Sequence, residues 1–237
     1  MSLDIREEAS APVALSELAA IPVAFVVDQV LEVSLPDGGL GGMSLAETAA
    51  TDPYVKDYDA LGGAGPARWP GRLEVSNPGL IRARRDGASV GGAVIATRTP
   101  DLHMLGGRGE VAVLWDIRVS PRDRAGGIGS GLFRAAGDRA GARGCRWLKI
   151  ETQNVNVAAR RFYQTMGCAL GTSDRFAYPG QPGEVQLLWW KALASTYTES
   201  SRSELRAQPQ ALLRPLPRRP VDRRPIRVGF KAYAAHG

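Results

Sequence analysis

The chain is poor in the residues that bind metals and cross-link secreted folds. Its 237 residues include two cysteines, Cys145 and Cys168, and two histidines, His103 and His236. That set is too small for the four-ligand sites of structural zinc, and two thiols make no disulfide framework. No apolar run approaches the roughly 20 residues of a membrane-spanning helix. The opening M-S-L-D-I-R-E-E-A-S is charged and has no apolar segment of the secretory-signal kind. With 44% apolar and 23% charged residues, the composition is that of an ordinary globular protein, long enough for one well-buried domain. A cytoplasmic protein, with no metal and no membrane partner, is the expectation.

Net charge is also missing from most of the chain. Residues 195–237 hold nine Lys/Arg and three Asp/Glu, which accounts for the whole formal charge of +6 and leaves residues 1–194 balanced. The basic character therefore belongs to a tail. Charge gives no support to a nucleic-acid role for the folded part.

Residues 1–20 read as a loosely ordered lead-in. Over 22–34 a strand is expected, with Phe25, Val27, Leu31 and Val33 on one side. D-G-G-L-G-G at 37–42 is a loop, and a short helix is expected to start near Tyr54. Two β-rich runs, 79–85 and 88–98, flank Asp86-Gly87, a strong hairpin signal. A strand follows at 111–119, then a glycine loop and a helix over about 128–143. A strand at 146–152, a helix at 155–166 and strands near 168–178 and 184–193 complete the order. It is that of a mixed sheet with helices packed on it. After Leu193 the recurrent prolines of A-L-L-R-P-L-P-R-R-P-V-D-R-R-P predict an extended or disordered tail.

The loop after the strand expected at 111–119 reads V-S-P-R-D-R-A-G-G-I-G-S-G-L, residues 119–132. Its glycines let the backbone bend and approach a ligand. The helix behind it points unpaired N–H groups and the positive end of its dipole at the loop. This is an anion site suited to a pyrophosphate. It lacks the Gly-Lys-Ser/Thr of a Walker A loop. It also fails the dinucleotide fingerprint, because Leu132 stands where the third glycine is needed. A strand-to-helix turn without a ligand remains an alternative on the loop alone.

Arg124-x-x-Gly127-x-Gly129, following V-S-P, resembles the coenzyme A loop of the GNAT superfamily of N-acetyltransferases. Asn156-x-x-Ala159-x-x-x-Tyr163-x-x-x-Gly167 resembles that family's second motif, with Cys168 where phenylalanine is common. W-D-I-R-V (115–119), E-T-Q-N-V-N-V (151–157) and G-x-x-D-R-F-A-Y…L-L-W-W (171–190) look like the streptothricin-acetyltransferase-like branch. The resemblance covers about residues 80–192. It implies a mixed, mostly antiparallel sheet of six to seven strands with helices on both faces. It places the acetyltransferase domain at 21–194, between the lead-in and the tail. Acetyl-coenzyme A is the implied cofactor. Backbone groups of Ile117, Arg118 and Val119 would bind the pantetheine arm. The run Arg124, Ala125, Gly126, Gly127, Ile128, Gly129, Ser130 would hold the pyrophosphate, with Asn156 and Ala159 completing the cofactor site.

Asn156 and Tyr163 lie seven residues apart, on one helix face and about 10 Å apart. Tyr163 is the candidate to protonate, or hydrogen-bond, the departing thiolate. An amine acceptor must lose a proton, and Asp116 and Glu151 are the carboxylates placed to take it. A salt-bridged strand carboxylate is the alternative for each, and a substrate-amine anchor is a further role for Asp116. Tyr54, Asp57, Tyr58, Asp174 and Tyr178 are candidates for an acidic, aromatic cup around a cationic acceptor. The partners to expect are a small-molecule amine and a second copy in a homodimer. A protein lysine or N-terminus as acceptor, and a non-catalytic cofactor-binding module, are the rival readings.

Overall fold

The computed structural model describes residues 2–60, 65–71, 78–99, 102–181 and 183–194. The expected tail over 195–237 lies outside them. In chain order the elements are β1 (Leu3–Glu8), α1 (Pro12–Ala19), β2 (Phe25–Ser34), β3 (Ser44–Lys56), β4 (Pro78–Arg85), β5 (Ala88–Thr97), β6 (Val111–Val119), α2 (Ile128–Ala142), β7 (Trp147–Gln153), α3 (Val157–Thr165), β8 (Ala169–Asp174) and β9 (Gln186–Ala192).

Seven strands form one sheet, in the order β1-β4-β5-β6-β7-β9-β8. Every neighbouring pair is antiparallel except β6 and β7. Those two are joined through α2, and a parallel pair needs such a crossover. Asp86 and Gly87 take φ of 50° and 85°, the left-handed pair of a type I′ hairpin, and join β4 to β5 as their sequence predicts.

Helices cover both faces. On α2, Ile128, Leu132, Ala136 and Ala140 recur every four residues and are buried against the sheet with Ile81, Ala93, Ile95 and Ile150. On the opposite face, Leu15 and Leu18 of α1 pack with Leu80, Val94 and Trp69. Consecutive glycines of β5 permit this close sandwich. A Cβ on Gly91 would lie 3.0 Å from Leu132 of α2, and one on Gly92 would lie 2.7 Å from Leu18 of α1.

Three expectations are corrected. Residues 1–20 are no loose lead-in, because they supply edge strand β1 and helix α1. Pro12 sits in the first turn of α1, where its missing N–H costs nothing, and Leu15 and Leu18 are fully buried. No helix starts near Tyr54, which lies within β3. There the register jumps from Val27↔Tyr54 to Gln29↔Ala49, so residues 50–53, with Pro53, bulge out of the pairing. Finally, the strand over 22–34 does not join the main sheet. It pairs with β3 in a separate two-stranded sheet, and β1 takes the seventh place instead. The β2–β3 hairpin docks through buried Asn154, whose Nδ2 donates to the Leu31 carbonyl at 3.0 Å while its own carbonyl accepts from Leu31 N–H at 2.9 Å.

Candidate active site

The parallel pairing of β6 and β7 runs from Val111↔Trp147 to Leu114↔Ile150 and stops there. Beside that point β6 is bulged: Val94 pairs with Asp116 and Ile95 with Leu114, so Trp115 is skipped. The added twist of a bulge turns β6 away from β7. A cavity of about 640 Å³ opens between the diverging ends. Ser120 N–H donates to the Val90 carbonyl of β5 at 2.9 Å. By strand alternation the backbone of Arg118 also serves β5, and that of Ile117 and Val119 faces the open side.

The glycine loop closes one end of this cleft. Ala125 and Gly127 both have positive φ, 61° and 80°. Gly127 is the N-cap of α2, and its carbonyl takes the first helical bond, from Gly131 N–H at 3.0 Å. The N–H groups of Ile128, Gly129 and Ser130 therefore have no helical partner, a geometry suited to an anion. The Ile128 side chain is core, so only its backbone can serve a ligand. Arg124 braces the loop, donating from Nε to the Val119 carbonyl at 3.2 Å and from Nη2 to the Pro22 carbonyl at 3.3 Å. These residues fit acetyl-coenzyme A: free strand-edge amides for an extended arm run into a helix N-terminus for the pyrophosphate.

Helix α3 forms the next wall. Asn156 is its N-cap, and its Oδ1 accepts from Ala159 N–H at 3.0 Å. One turn and more along, Tyr163 is buried, with its ring 5.9 Å from that of Phe133 and 5.3 Å from that of Phe162. Burial first, and then the negative charge of Asp116, push its phenol far above the usual range. The hydroxyl therefore keeps its proton at neutral pH. Asn156, Ala159 and Tyr163 all line the cleft.

The other face of the sheet carries the acids. Leu148 and Ile150 of β7 enter the α2-side core, so alternation sends Glu151 and Gln153 to the opposite side. Glu151 Oε1 accepts from the Tyr178 hydroxyl at 2.6 Å, and Gln153 links Tyr178 to Tyr58. Phe25 packs its ring 5.6 Å from Tyr58. Glu151, Gln153, Tyr58 and Phe25 line the cleft.

Several candidates have other duties. Asp116 accepts from Arg118 Nε at Oδ1 at 2.8 Å and from Nη2 at Oδ2 at 2.9 Å. Arg118 also grips Asp59 through two bonds of 2.6 and 2.9 Å. Its guanidinium is thus engaged within the protein, while Arg118 itself stays among the residues that line the cleft. Burial pushes the Asp116 carboxyl up, against the pull of Arg118. Asp57 accepts from Asp59 N–H and Asp174 from Phe176 N–H, so both close turns and neither lines the cleft. Tyr54 lines a neighbouring groove with Glu184 and Gln181. Of the expected cup, Tyr58 and Tyr178 are brought to Glu151.

Gln153, Asp59 and the buried Lys56–Glu184 pair were not among the expected site residues. For Gln153 a signal exists: it stands two positions from Glu151 on one strand and so shares its face. Asp59 and Glu184 lie in loops, where no periodicity points. Among the described residues no cluster of metal-ligating side chains occurs, and no helix is long and apolar enough to cross a membrane.

Residues 46–168 match the model of the acetyltransferase (GNAT) family. The chain is similar to a streptothricin acetyltransferase of Streptomyces lavendulae, 29% identical over 161 residues, which are 68% of this chain and 79% of the relative. It is also similar to a streptothricin acetyltransferase of Escherichia coli, 25% identical over 169 residues, 70% of this chain and 84% of that one. A crystal structure from Bacillus anthracis str. Ames, assigned as a streptothricin acetyltransferase and solved with acetyl coenzyme A, superposes with a TM-score of 0.63 at 25% identity. It covers 82% of this chain and all of that one. The family match spans β6, the glycine loop and α3, the elements that build the cleft. The chain belongs to the GNAT family, in the branch that resembles streptothricin acetyltransferases, and is an acetyl-coenzyme A-dependent N-acetyltransferase.

Proposed function

We propose that the protein acetylates a primary amine of a small cationic molecule by direct attack, with both substrates bound in the cleft between β6 and β7. The observation that carries this is the placement of Glu151 and Tyr163, which line one cleft from opposite faces of the sheet. Acetyl-coenzyme A supplies the acetyl thioester and its thiolate leaving group.

The N–H groups of residues 128–130 hold the phosphates, and Ile117 and Val119 orient the arm along β6. Glu151 receives the proton of the attacking amine. For an amine of pKa about 10.4, deprotonation at neutral pH costs roughly 4–5 kcal/mol, so a carboxylate at the point of attack has a large effect. Asp116 is less suited to this work, since both of its oxygens are bonded to Arg118. Tyr163 donates a hydrogen bond to the sulfur as it leaves. The raised phenol makes full proton transfer uphill, so stabilisation by the hydrogen bond is its main contribution. Tyr58 and Phe25 offer aromatic faces to a cation.

Direct attack is favoured because no cysteine lines the cleft. Cys145 and Cys168 are buried, and burial pushes the Cys168 thiol up to about 11. Similarity to streptothricin acetyltransferases supports a small-molecule acceptor.

The test is thiol release from acetyl-coenzyme A with polyamine, aminoglycoside and streptothricin-type acceptors. Turnover is expected with at least one, with intersecting double-reciprocal lines and a large loss in Glu151→Gln. Parallel lines would exclude direct attack. Tight cofactor binding without turnover on any amine would overturn the enzymatic reading.

A further inference from the structure

We infer that Gln153 is a positioning residue for acetyl transfer: its carboxamide sets the direction of a hydrogen-bond chain that runs from the N-cap of α3 to Glu151. The inference rests on Glu151 being the proton acceptor.

The direction of the chain follows from donor chemistry, starting at a bond that can have only one polarity. Ala159 N–H must donate, so the atom of Asn156 that meets it at 3.0 Å is the carbonyl oxygen Oδ1. The other end of that carboxamide is then the amine Nδ2, and it donates to the Tyr58 hydroxyl at 3.5 Å. Tyr58 therefore accepts on that side and spends its single proton on Gln153 Oε1. With the oxygen of Gln153 occupied, its Nε2 faces Tyr178 and donates to the hydroxyl at 3.1 Å. Tyr178 accepts there, so its proton goes to Glu151 Oε1 at 2.6 Å. No link can be reversed without setting two donors or two acceptors against each other.

Two features make this arrangement durable. Burial pushes the Tyr58 phenol up to about 12 and moves Tyr178 in the same direction, so both hydroxyls keep the protons they donate. The loop that carries Tyr178 is anchored to β3 by the buried Lys56–Glu184 ion pair and by Lys56 Nζ donating to Gln181 Oε1 at 2.8 Å. Tyr178 is thereby held where its hydroxyl can meet β7.

The consequence for the reaction is geometric. Glu151 Oε1 is held by Tyr178, and among the described residues Oε2 has no hydrogen-bond donor from the protein. The carboxylate is fixed in rotation, with one oxygen tied and the other available to the amine. A misplacement of a reacting group by about 1 Å can cost of the order of a hundredfold in rate. A glutamine is suited to the middle position because it presents an acceptor and a donor on opposite branches of one planar group. A carboxylate could not donate to Tyr178, and an ammonium could not accept from Tyr58.

The experiment compares Gln153→Met, Tyr178→Phe, their double variant and Glu151→Gln, all in the full chain, on an amine that the wild-type protein acetylates. Each single change at Gln153 or Tyr178 is expected to lower kcat by about ten- to a hundredfold, with coenzyme A affinity and the melting temperature close to wild type. The double variant is expected to be no slower than the slower single variant, because both changes cut one chain. Two results would overturn the inference: wild-type kcat in Gln153→Met, or a double variant whose loss is the product of the single losses. If Gln153→Met melts early, Tyr58→Phe cuts the same chain one link away and must lower kcat without moving coenzyme A affinity. Loss of turnover in Glu151→Gln with wild-type kcat in the Gln153 and Tyr58 variants defeats this inference alone. Full turnover in Glu151→Gln defeats the reading of Glu151 on which it stands.

Discussion

Arg118 and Asp59 face each other in a two-bond ion pair, Nη1 to Oδ2 at 2.6 Å and Nη2 to Oδ1 at 2.9 Å. The same guanidinium holds Asp116, and its side chain is 3% exposed. One cation thus joins the segment after β3 to the strand that forms the lip of the cleft. Removing it in Arg118→Ala leaves the Asp116 carboxylate buried without its partner. Losses of this kind are about 3–5 kcal/mol. Denaturant unfolding of the variant is expected to show a loss in that range. A loss below about 1 kcal/mol would mean that the pair is effectively solvated.

Gly127 has a φ of 80°, and a Cβ placed on it would meet nothing within 4 Å. The cost of Gly127→Val is therefore backbone strain, about 1–2 kcal/mol, relieved by a shift of the loop. The N–H cradle moves with it. Coenzyme A affinity is expected to fall about tenfold or more, equivalent to about 1.4 kcal/mol or more, while the protein still unfolds cooperatively. Calorimetric titration and a thermal melt measure the two effects separately. Unchanged affinity would place the phosphates elsewhere.

Tyr163→Phe keeps the ring that packs on Phe133 and Phe162 and removes only the hydroxyl. Turnover is expected to fall about a hundredfold, at the lower end of what a positioned acid contributes, with coenzyme A affinity within about twofold of wild type. A fall in affinity alone would make Tyr163 a binding or packing residue.

The tyrosines also set an alkaline limit to stability. Folding moves the Tyr58 phenol from 10.0 to about 12. Below pH 10 both the folded and unfolded states hold this proton, and its stabilisation is fully present. As pH rises from 10 to 12 the unfolded chain loses the proton first, so stability falls. The rise corresponds to roughly 2–3 kcal/mol. Tyr163 and Tyr178 shift in the same direction. Tyr58→Phe is expected to flatten the decline of Tm over this window relative to wild type. An equally steep decline would show that Tyr58 is not its source.

Residues 195–237 carry the chain's net charge, and the family match ends at residue 168. Deleting them is expected to leave kcat/KM for the amine within about twofold, since the charge-balanced remainder contains every residue placed at the cleft. A large loss of turnover would assign the tail a part in the reaction.

Much of this molecule was legible in the order of its residues, for reasons that are local. A hairpin at Asp86-Gly87 needs two left-handed residues side by side. The α2 stripe of Ile128, Leu132, Ala136 and Ala140 is a period of the helix itself. The anion cradle follows from glycines before a helix start, and Asn156 and Tyr163 share a wall because they are seven residues apart on α3. The shortfall is local too: L-D-I-R-E-E shows too little apolar alternation to mark an edge strand, and β3 is interrupted by a bulge at residues 50–53.

The sequence by itself determined the glycine-loop side of the cleft, where each contributing group lies within a few residues of the next. Only the tertiary structure decided the side that carries the carboxylates. Asp116 and Glu151 look alike as strand carboxylates. They part because different partners reach them: Arg118, two positions on and itself held by distant Asp59, bonds both oxygens of Asp116, while Tyr178, 27 positions along the chain, ties a single oxygen of Glu151. Charge pairing and hydrogen-bond direction depend on distances of a few ångströms between segments that the order of residues leaves unrelated. Packing the hairpin, the loop and the sheet together creates those distances.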